Sequence, residues 1–361
     1  MVRLICCALL MASPAFGAET MRIAVQQETA QALVEGTDLT IGEDLDDAAM
    51  SPLNHPTGVV TASRGHLELN GVAVKVSAVR LRAGEEDGLI AVNGIRLRGD
   101  VVVLPGNGSA SNNVTVVNVL ALEEYLAGVL GSEMPKSFPS EALKAQAIAA
   151  RTYALNKKLE QYGQPFHLGS SVISQVYKGL QAEDPRTHEA VAATRGMVLT
   201  WQLQPIEAYF HSSCGGHTES GFDALNRDLP YLKSVACPCA SLPSSSWSLN
   251  VTSKELNTVA QGKASLQVQG RSPTGRVKRV QVGARSIDAV QFRERLGYSK
   301  VKSLDFSVAK ASKDGWVLEG HGFGHGAGLC QWGAQILATR GWTFEKILEH
   351  YYPGTELQTL Y

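Results

Sequence analysis

The residues best suited to chemistry lie between 320 and 334, where glycine takes every second position from Gly320 to Gly328. Glycine at that density weakens helix and strand alike, so this backbone must approach a neighbour closely or adopt positive φ. The side chains left to reach outward are the imidazoles of His321 and His325, the Gln331 amide and the Trp332 indole. His-x-x-x-His is also the spacing of two zinc ligands on one helical face, but alternating glycines oppose the helix that reading needs. Cys214, Cys237, Cys239 and Cys330 offer a second chemistry. Cys237 and Cys239 are too close in sequence to bridge each other without strain, so each sulfur must look elsewhere. Two disulfides and a zinc site fit the same inventory.

Two further cysteines, Cys6 and Cys7, sit in an apolar run over residues 4–12 that follows a basic start and is too short to span a bilayer. Ala15 and Gly17 then stand as the small residues of a signal-peptidase site, which predicts export with cleavage after Gly17 to the periplasm, envelope or exterior. No later segment is long and apolar enough to be a membrane anchor. The formal net charge of −1 supplies no field to recruit nucleic acid or an anionic membrane. A hydrophobic share of 44% over 361 residues supports a sizeable core.

The elements that must position these groups follow from periodicity. Alternation such as Leu67-Glu68-Leu69 and Val79-Arg80-Leu81-Arg82 predicts antiparallel strands from about 21 to 103, before the turn-rich break at 105–113. A strand over 114–120 leads to a short helix over 122–130 ending at Gly131, with Ser132, Glu133, Met134 and Pro135 as a loop. A long alanine-rich helix follows over 139–159, carrying Ala142, Leu143, Ala145, Ala147, Ile148, Ala149 and Ala150 at helical spacing. Strands are expected at 198–201 and 206–210, then a loop with His211, Cys214, His217 and Glu219; shorter helices are expected near 288–295, 334–339 and 344–350. Arg271, Arg276, Lys278 and Arg279 read as the solvated face of a hairpin. The fold class expected is α+β, mostly antiparallel strands with a central alanine-rich helix. Its parts are a leader at 1–17, a strand-rich region at 18–113 and a main domain at 114–361.

Four blocks in order carry a resemblance. They are Gly131-Ser132-Glu133-Met134-Pro135 with Glu141 to Ala154; Ser174-Gln175-Val176-Tyr177-Lys178-Gly179; Phe210-His211-Ser212-Ser213-Cys214-Gly215-Gly216; and His321 to Ala334. Together they resemble the SpoIID/LytB family, named for the stage II sporulation protein D and the LytB amidase enhancer, over roughly 114–361. The resemblance implies action on peptidoglycan, as sporulation members are lytic transglycosylases that cut glycan strands whose stem peptides have been removed. It makes Glu133, of the Glu-Met-Pro motif, the acid. The transfer is chemically sound, because glycosidic cleavage needs a proton on the leaving oxygen and partial desolvation keeps a carboxyl protonated. A hydrolase would add a second carboxylate; a lytic transglycosylase closes the ring with the sugar's own 6-hydroxyl, and one glutamate suffices.

Candidate substrate-binding residues are Arg151, Gln175, Tyr177, Ser212, His321, His325, Gln331 and Trp332. Arg151 reads equally as a buried ion pair, and Gln175, Tyr177 and Trp332 as core. His321 and His325 are candidates for cleft shaping, substrate contact or proton relay. The cleft is expected where Glu133 meets the glycine segment. Some sporulation members hold zinc with Cys and His ahead of the Gln-x-Tyr motif, but residues 165–177 here contain His167 and no cysteine, so that site does not carry over. Cys330 stands where the sporulation proteins usually have Ser, and with Cys214, Cys237 and Cys239 it is expected to brace the cleft as disulfides or a structural zinc site. The chemistry itself needs no cofactor. The alternative is a non-catalytic wall-binding enhancer of an N-acetylmuramoyl-L-alanine amidase. Expected partners are therefore glycan strands and a wall amidase.

Overall fold

The structure, a computed structural model, describes residues 19–43, 49–84, 88–108, 110–171, 174–242, 245–260, 265–312 and 315–361, without the side chains of 309–312. The leader expected at 1–17 lies outside them. The fold is α+β with mostly antiparallel strands.

One seven-stranded sheet runs in the order Leu168–Gly169, Thr20–Thr29, Val114–Ala121, Asp100–Pro105, Val79–Arg82, Thr40–Gly42, Ser51–Pro52. Its strands pair antiparallel except for Leu168–Gly169, which runs parallel to Thr20–Thr29. Val114–Ala121 is buried through its first seven residues, the run expected of a strand covered on both faces. Its one amide, Asn118, is fully occupied: Nδ2 donates to the carbonyls of Arg98 and Asp100 at 2.8 and 3.0 Å, and Oδ1 accepts from Tyr177 Oη at 3.0 Å. A buried amide so paired avoids the penalty of an orphan. A six-stranded sheet, from Ile95–Arg98 to Val72–Ala73, completes the N-terminal half.

Eight α-helices lie among the described residues: α1 Leu122–Glu133, α2 Ser140–Glu160, α3 Pro185–Ala193, α4 Gly221–Leu225, α5 Ser253–Val259, α6 Ala289–Leu296, α7 Gln331–Thr339 and α8 Phe344–Tyr351. The centre is α2, which packs against α1, α3, α7 and α8 and is buried continuously from Ala145 to Leu155. Alanine is why this works, since its small side chain lets four neighbours approach one helix while keeping the best helix propensity.

Two boundaries differ from the sequence expectation. Gly131 does not end α1, which runs two residues further to Glu133. A Cβ on Gly131 would lie 1.9 Å from the Ala182 carbonyl oxygen, so this glycine serves close packing and not a left-handed cap. Pro135 stops the helix instead, holding Met134 in extended backbone at φ −126 and ψ 147. At the other end of the chain α7 begins at Gln331, three residues before the expected 334, because the Cys330 side chain accepts from Gly333 N and caps the first turn. The strand expected over 206–210 is reduced to Phe210–His211, which pairs parallel with Leu329–Cys330.

Residues between 246 and 321 carry a core of their own, including Trp247, Leu256, Val280, Phe292, Phe306 and Leu318. This unit leaves and returns at one place, since Ser246 and His321 are paired across the antiparallel strands Ser246–Thr252 and Gly315–His321.

Candidate functional site

Glu133 closes α1, and the side of α1 that aims it is lined with glycine. A Cβ on Gly128 would meet the Tyr177 ring at 2.8 Å, and Gly131 presses on Ala182 as above. The segment carrying Val176 therefore comes close enough for Val176 N to donate to Glu133 Oε1 at 2.7 Å. Burial pushes the Glu133 carboxyl above the ordinary carboxylate range, with the Val176 N–H and the Gln331 amide pulling partly back. A helix C-terminus also disfavours the anion. With Oε1 engaged by an N–H, the proton of the neutral acid belongs on Oε2. The Gln331 amide nitrogen is buried near this carboxyl, close enough to stabilise its charge though outside strict hydrogen-bond geometry, and has no other partner. The site is thus formed where the end of α1 meets the first turn of α7, and the alternating glycines stand one step back from the acid.

Those glycines hold a histidine pair. Gly324 has φ +121, and a Cβ there would fall 2.6 Å from His211 Cβ. His325 Nδ1 accepts from Ala327 N at 3.1 Å, so its Nε2 is the protonated nitrogen and donates to the Phe210 carbonyl at 2.9 Å. Both nitrogens are engaged, and burial lowers its pKa to about 4, so the imidazole is held neutral between these two backbone groups. His211 packs on it at 5.4 Å between ring centroids and donates through Nδ1 to the Ala327 carbonyl at 3.0 Å. Its Nε2 is buried and unpartnered. His321 is exposed, at the end of the strand Gly315–His321.

Three expected substrate contacts lie inside the fold. Arg151 is 0% exposed and forks onto Glu123 at 2.9 and 2.7 Å, with the Val191 and Met197 carbonyls taking further donors at 3.3 and 3.2 Å. Gln175 is also fully buried, donating to the Ala150 carbonyl at 3.1 Å and accepting from Tyr125 Oη at 2.9 Å. Tyr177 gives its hydroxyl to Asn118 and its ring to Tyr125 and Gly128. Their polar atoms bond within the fold, holding α1, α2 and the central strand together. Trp332 is half-buried, with its ring edge-on to Phe138 at 4.9 Å, and its backbone N–H donates to the carbonyl of half-buried Ser212 at 3.1 Å.

The four cysteine sulfurs come together. Cys214, Cys237, Cys239 and Cys330 are all buried, and their Sγ atoms lie within 4.8 Å of one another, with 3.3 Å between Cys214 and Cys239. Cys237 Sγ is 3.2 Å from Tyr351 Oη. A Cβ on Gly333 would sit 2.4 Å from Cys237 Sγ, so that glycine keeps the space open.

Arg276, expected on a solvated hairpin face, is buried instead. Its Nη2 donates to the Cys214 carbonyl at 2.6 Å and the His217 carbonyl at 2.9 Å, and its Nη1 lies 3.8 Å from Glu219. Glu219, 1% exposed, also accepts from the hydroxyls of Ser272 and Thr274. Neither residue was marked by its sequence spacing, because Arg276 is buried by contacts far along the chain, with the Cys214 and His217 carbonyls and against Gly326. His211 had a signal, its place in the Phe-His-Ser-Ser-Cys block. Two cavities, of about 390 and 650 Å³, are lined by residues such as Asp38 and Arg96, and Arg22 and His167; neither includes Glu133.

Residues 110–201 match the family model described as Stage II sporulation protein, and residues 241–328 match a domain of unknown function. The chain is 33% identical over 316 residues to an uncharacterised protein of Brachyspira hyodysenteriae, covering 85% of this chain and 84% of that one. It is 34% identical over 266 residues to the stage II sporulation protein D of Bacillus subtilis, covering 68% and 76%. With the amidase enhancer of Bacillus subtilis it shares 28% identity over 291 residues, 64% of this chain and 40% of that protein.

Proposed function

Because this chain belongs to the stage II sporulation protein (SpoIID) family, we propose that it is exported and cuts the glycan strands of peptidoglycan as a lytic transglycosylase, with Glu133 as its single acid and base. The observation that carries this reading is the Glu133 carboxyl itself, half-buried at the end of α1, bonded through one oxygen and pushed by burial above the ordinary carboxylate range. Glu133 Oε2 gives its proton to the glycosidic oxygen as the C1–O bond breaks. The 6-hydroxyl oxygen of the same sugar closes on C1, and its proton passes to the carboxylate. Glu133 is restored, no water is consumed, and the products are a 1,6-anhydro end and a free hydroxyl on the departing strand. Gln331, with a free amide donor beside the acid, is suited to hold the carboxylate or the substrate during this exchange.

The second reading, a wall-binding protein that stimulates a partner amidase, is favoured by the similarity to an amidase enhancer and by the burial of Arg151, Gln175 and Tyr177, which leaves fewer polar side chains to grip a sugar. No helix of the described residues is long and apolar enough to cross a membrane. Incubating the purified chain with peptide-free glycan strands and identifying the ends by mass spectrometry tests the proposal. Anhydro ends support it, reducing ends show hydrolysis, and uncut strands together with faster amidase turnover replace it with the enhancer.

A further inference from the structure

We propose that Cys214, Cys237, Cys239 and Cys330 bind one Zn²⁺ as a closed tetrahedral tetrathiolate that locks the first turn of α7 against the cysteine loop. A zinc–sulfur bond of about 2.3 Å in a tetrahedron places the sulfurs roughly 3.8 Å apart. The observed quartet, with every sulfur within 4.8 Å of the other three and one pair at 3.3 Å, has that scale. Two disulfides would instead need two partners each drawn to about 2.05 Å. The surroundings are those of thiolates: Gly333 N donates to Cys330 Sγ at 3.3 Å at the N-terminal end of α7, and the Tyr351 hydroxyl sits 3.2 Å from Cys237 Sγ. Donors aimed at sulfur stabilise its anion. All four ligands are cysteine and all are buried, so no coordination position is left for water or substrate, which makes this a structural and not a catalytic metal.

The site ties three stretches far apart in sequence. Cys214 follows the Phe210–His211 strand, Cys237 and Cys239 flank a tight turn at Pro238, and Cys330 ends the partner strand Leu329–Cys330. The next residue is Gln331, beside Glu133. The metal therefore sets where Gln331 stands, and this positioning consequence rests on the transglycosylase reading.

The test uses the full chain purified without added metal or reductant from the compartment to which its host delivers it, with Cys6 and Cys7 replaced by serine so that thiol counts report the other four. Native mass spectrometry with elemental analysis is expected to show one zinc per chain, and the four thiols to become titratable only after chelation. Exchange into Co²⁺ should give the charge-transfer and d–d bands of a tetrahedral tetrathiolate. Cys239→Ser should lower zinc content toward none. A chain lacking metal and lighter by the hydrogens of two disulfides, four free thiols without metal, or iron in place of zinc would each overturn the proposal. Since none of these readouts uses glycan cleavage, the zinc site and the transglycosylase reading fail separately.

Discussion

Arg151 on α2 and Glu123 on α1 face each other as a two-point ion pair, Nε to Oε1 at 2.9 Å and Nη2 to Oε2 at 2.7 Å. Glu123 opens the helix that Glu133 closes, so this pair fixes the direction of the helix that carries the acid. The guanidinium holds the Glu123 carboxyl below its usual range against the opposing effect of burial. Arg151→Met leaves Glu123 half-buried without its counter-charge and is expected to cost about 3–5 kcal/mol in denaturant unfolding. A glycan contact would behave differently, with stability held and substrate affinity lost.

Glu133→Gln removes the transferable proton while keeping the Val176 N–H bond. Strand cleavage should fall roughly 10²–10⁴-fold with substrate binding kept. The same variant should unfold at a higher temperature than the parent at neutral pH. The folded carboxyl titrates above its unfolded value, so raising the pH through that window ionises it earlier in the unfolded chain and removes native stability. Below the unfolded value, at about pH 4, the two proteins should melt together. A variant that is less stable than the parent at neutral pH would assign Glu133 a structural role.

The pH–rate profile should follow from the same group. The proposed mechanism needs protonated Glu133 at its first step, so kcat/KM should decline as pH rises through its raised pKa, and the decline should be missing from residual Glu133→Gln activity.

His325 imposes the opposite slope on stability. Its folded pKa is about 4 against an ordinary 6.5, so the native state holds it neutral while the unfolded chain takes up a proton. Stability is expected to fall as pH drops from about 6.5 toward 4. His325→Gln, which cannot titrate, should flatten that part of the thermal unfolding curve.

Gly131→Ala should be disruptive despite better helix propensity. Its methyl would meet the Ala182 carbonyl oxygen at 1.9 Å, so α1 must shift, at a cost of about 1–3 kcal/mol, and with it the Glu133–Val176 bond. Cleavage should drop more than stability alone explains, whereas Ser132→Ala at the neighbouring position should leave it near the parent value.

The central helix was legible because alanine spacing states burial directly, and the strand texture before Val103 because alternation does. Gly131 was misread because a glycine after an apolar run looks the same whether it caps a helix or admits a carbonyl. Arg151, Gln175 and Tyr177 stood beside the right motifs, but which way each points is decided by Glu123, Tyr125 and Asn118, residues 28 to 59 positions away. Convergence of the cysteines could be expected from their number; that Cys330 would also cap α7 could not, since the cap depends on the turn geometry at Gly333.

The pairing of Ser246 with His321 means that the chain between them makes an excursion with almost no net displacement. Such a stretch behaves like the tip of an oversized hairpin: its length and content can change while the strands that hold it stay put. It can be exchanged among relatives or grafted with little penalty to the surrounding topology, because closing it requires only a turn. What an exchange would forfeit is Arg276, whose two bonds to the Cys214 and His217 carbonyls reach out of the excursion into the cysteine loop. The unit is modular in its backbone, but Arg276, with Ser272 and Thr274 on Glu219 and Lys278 on Asp223, ties it to its host, and any substitute would have to supply those contacts again.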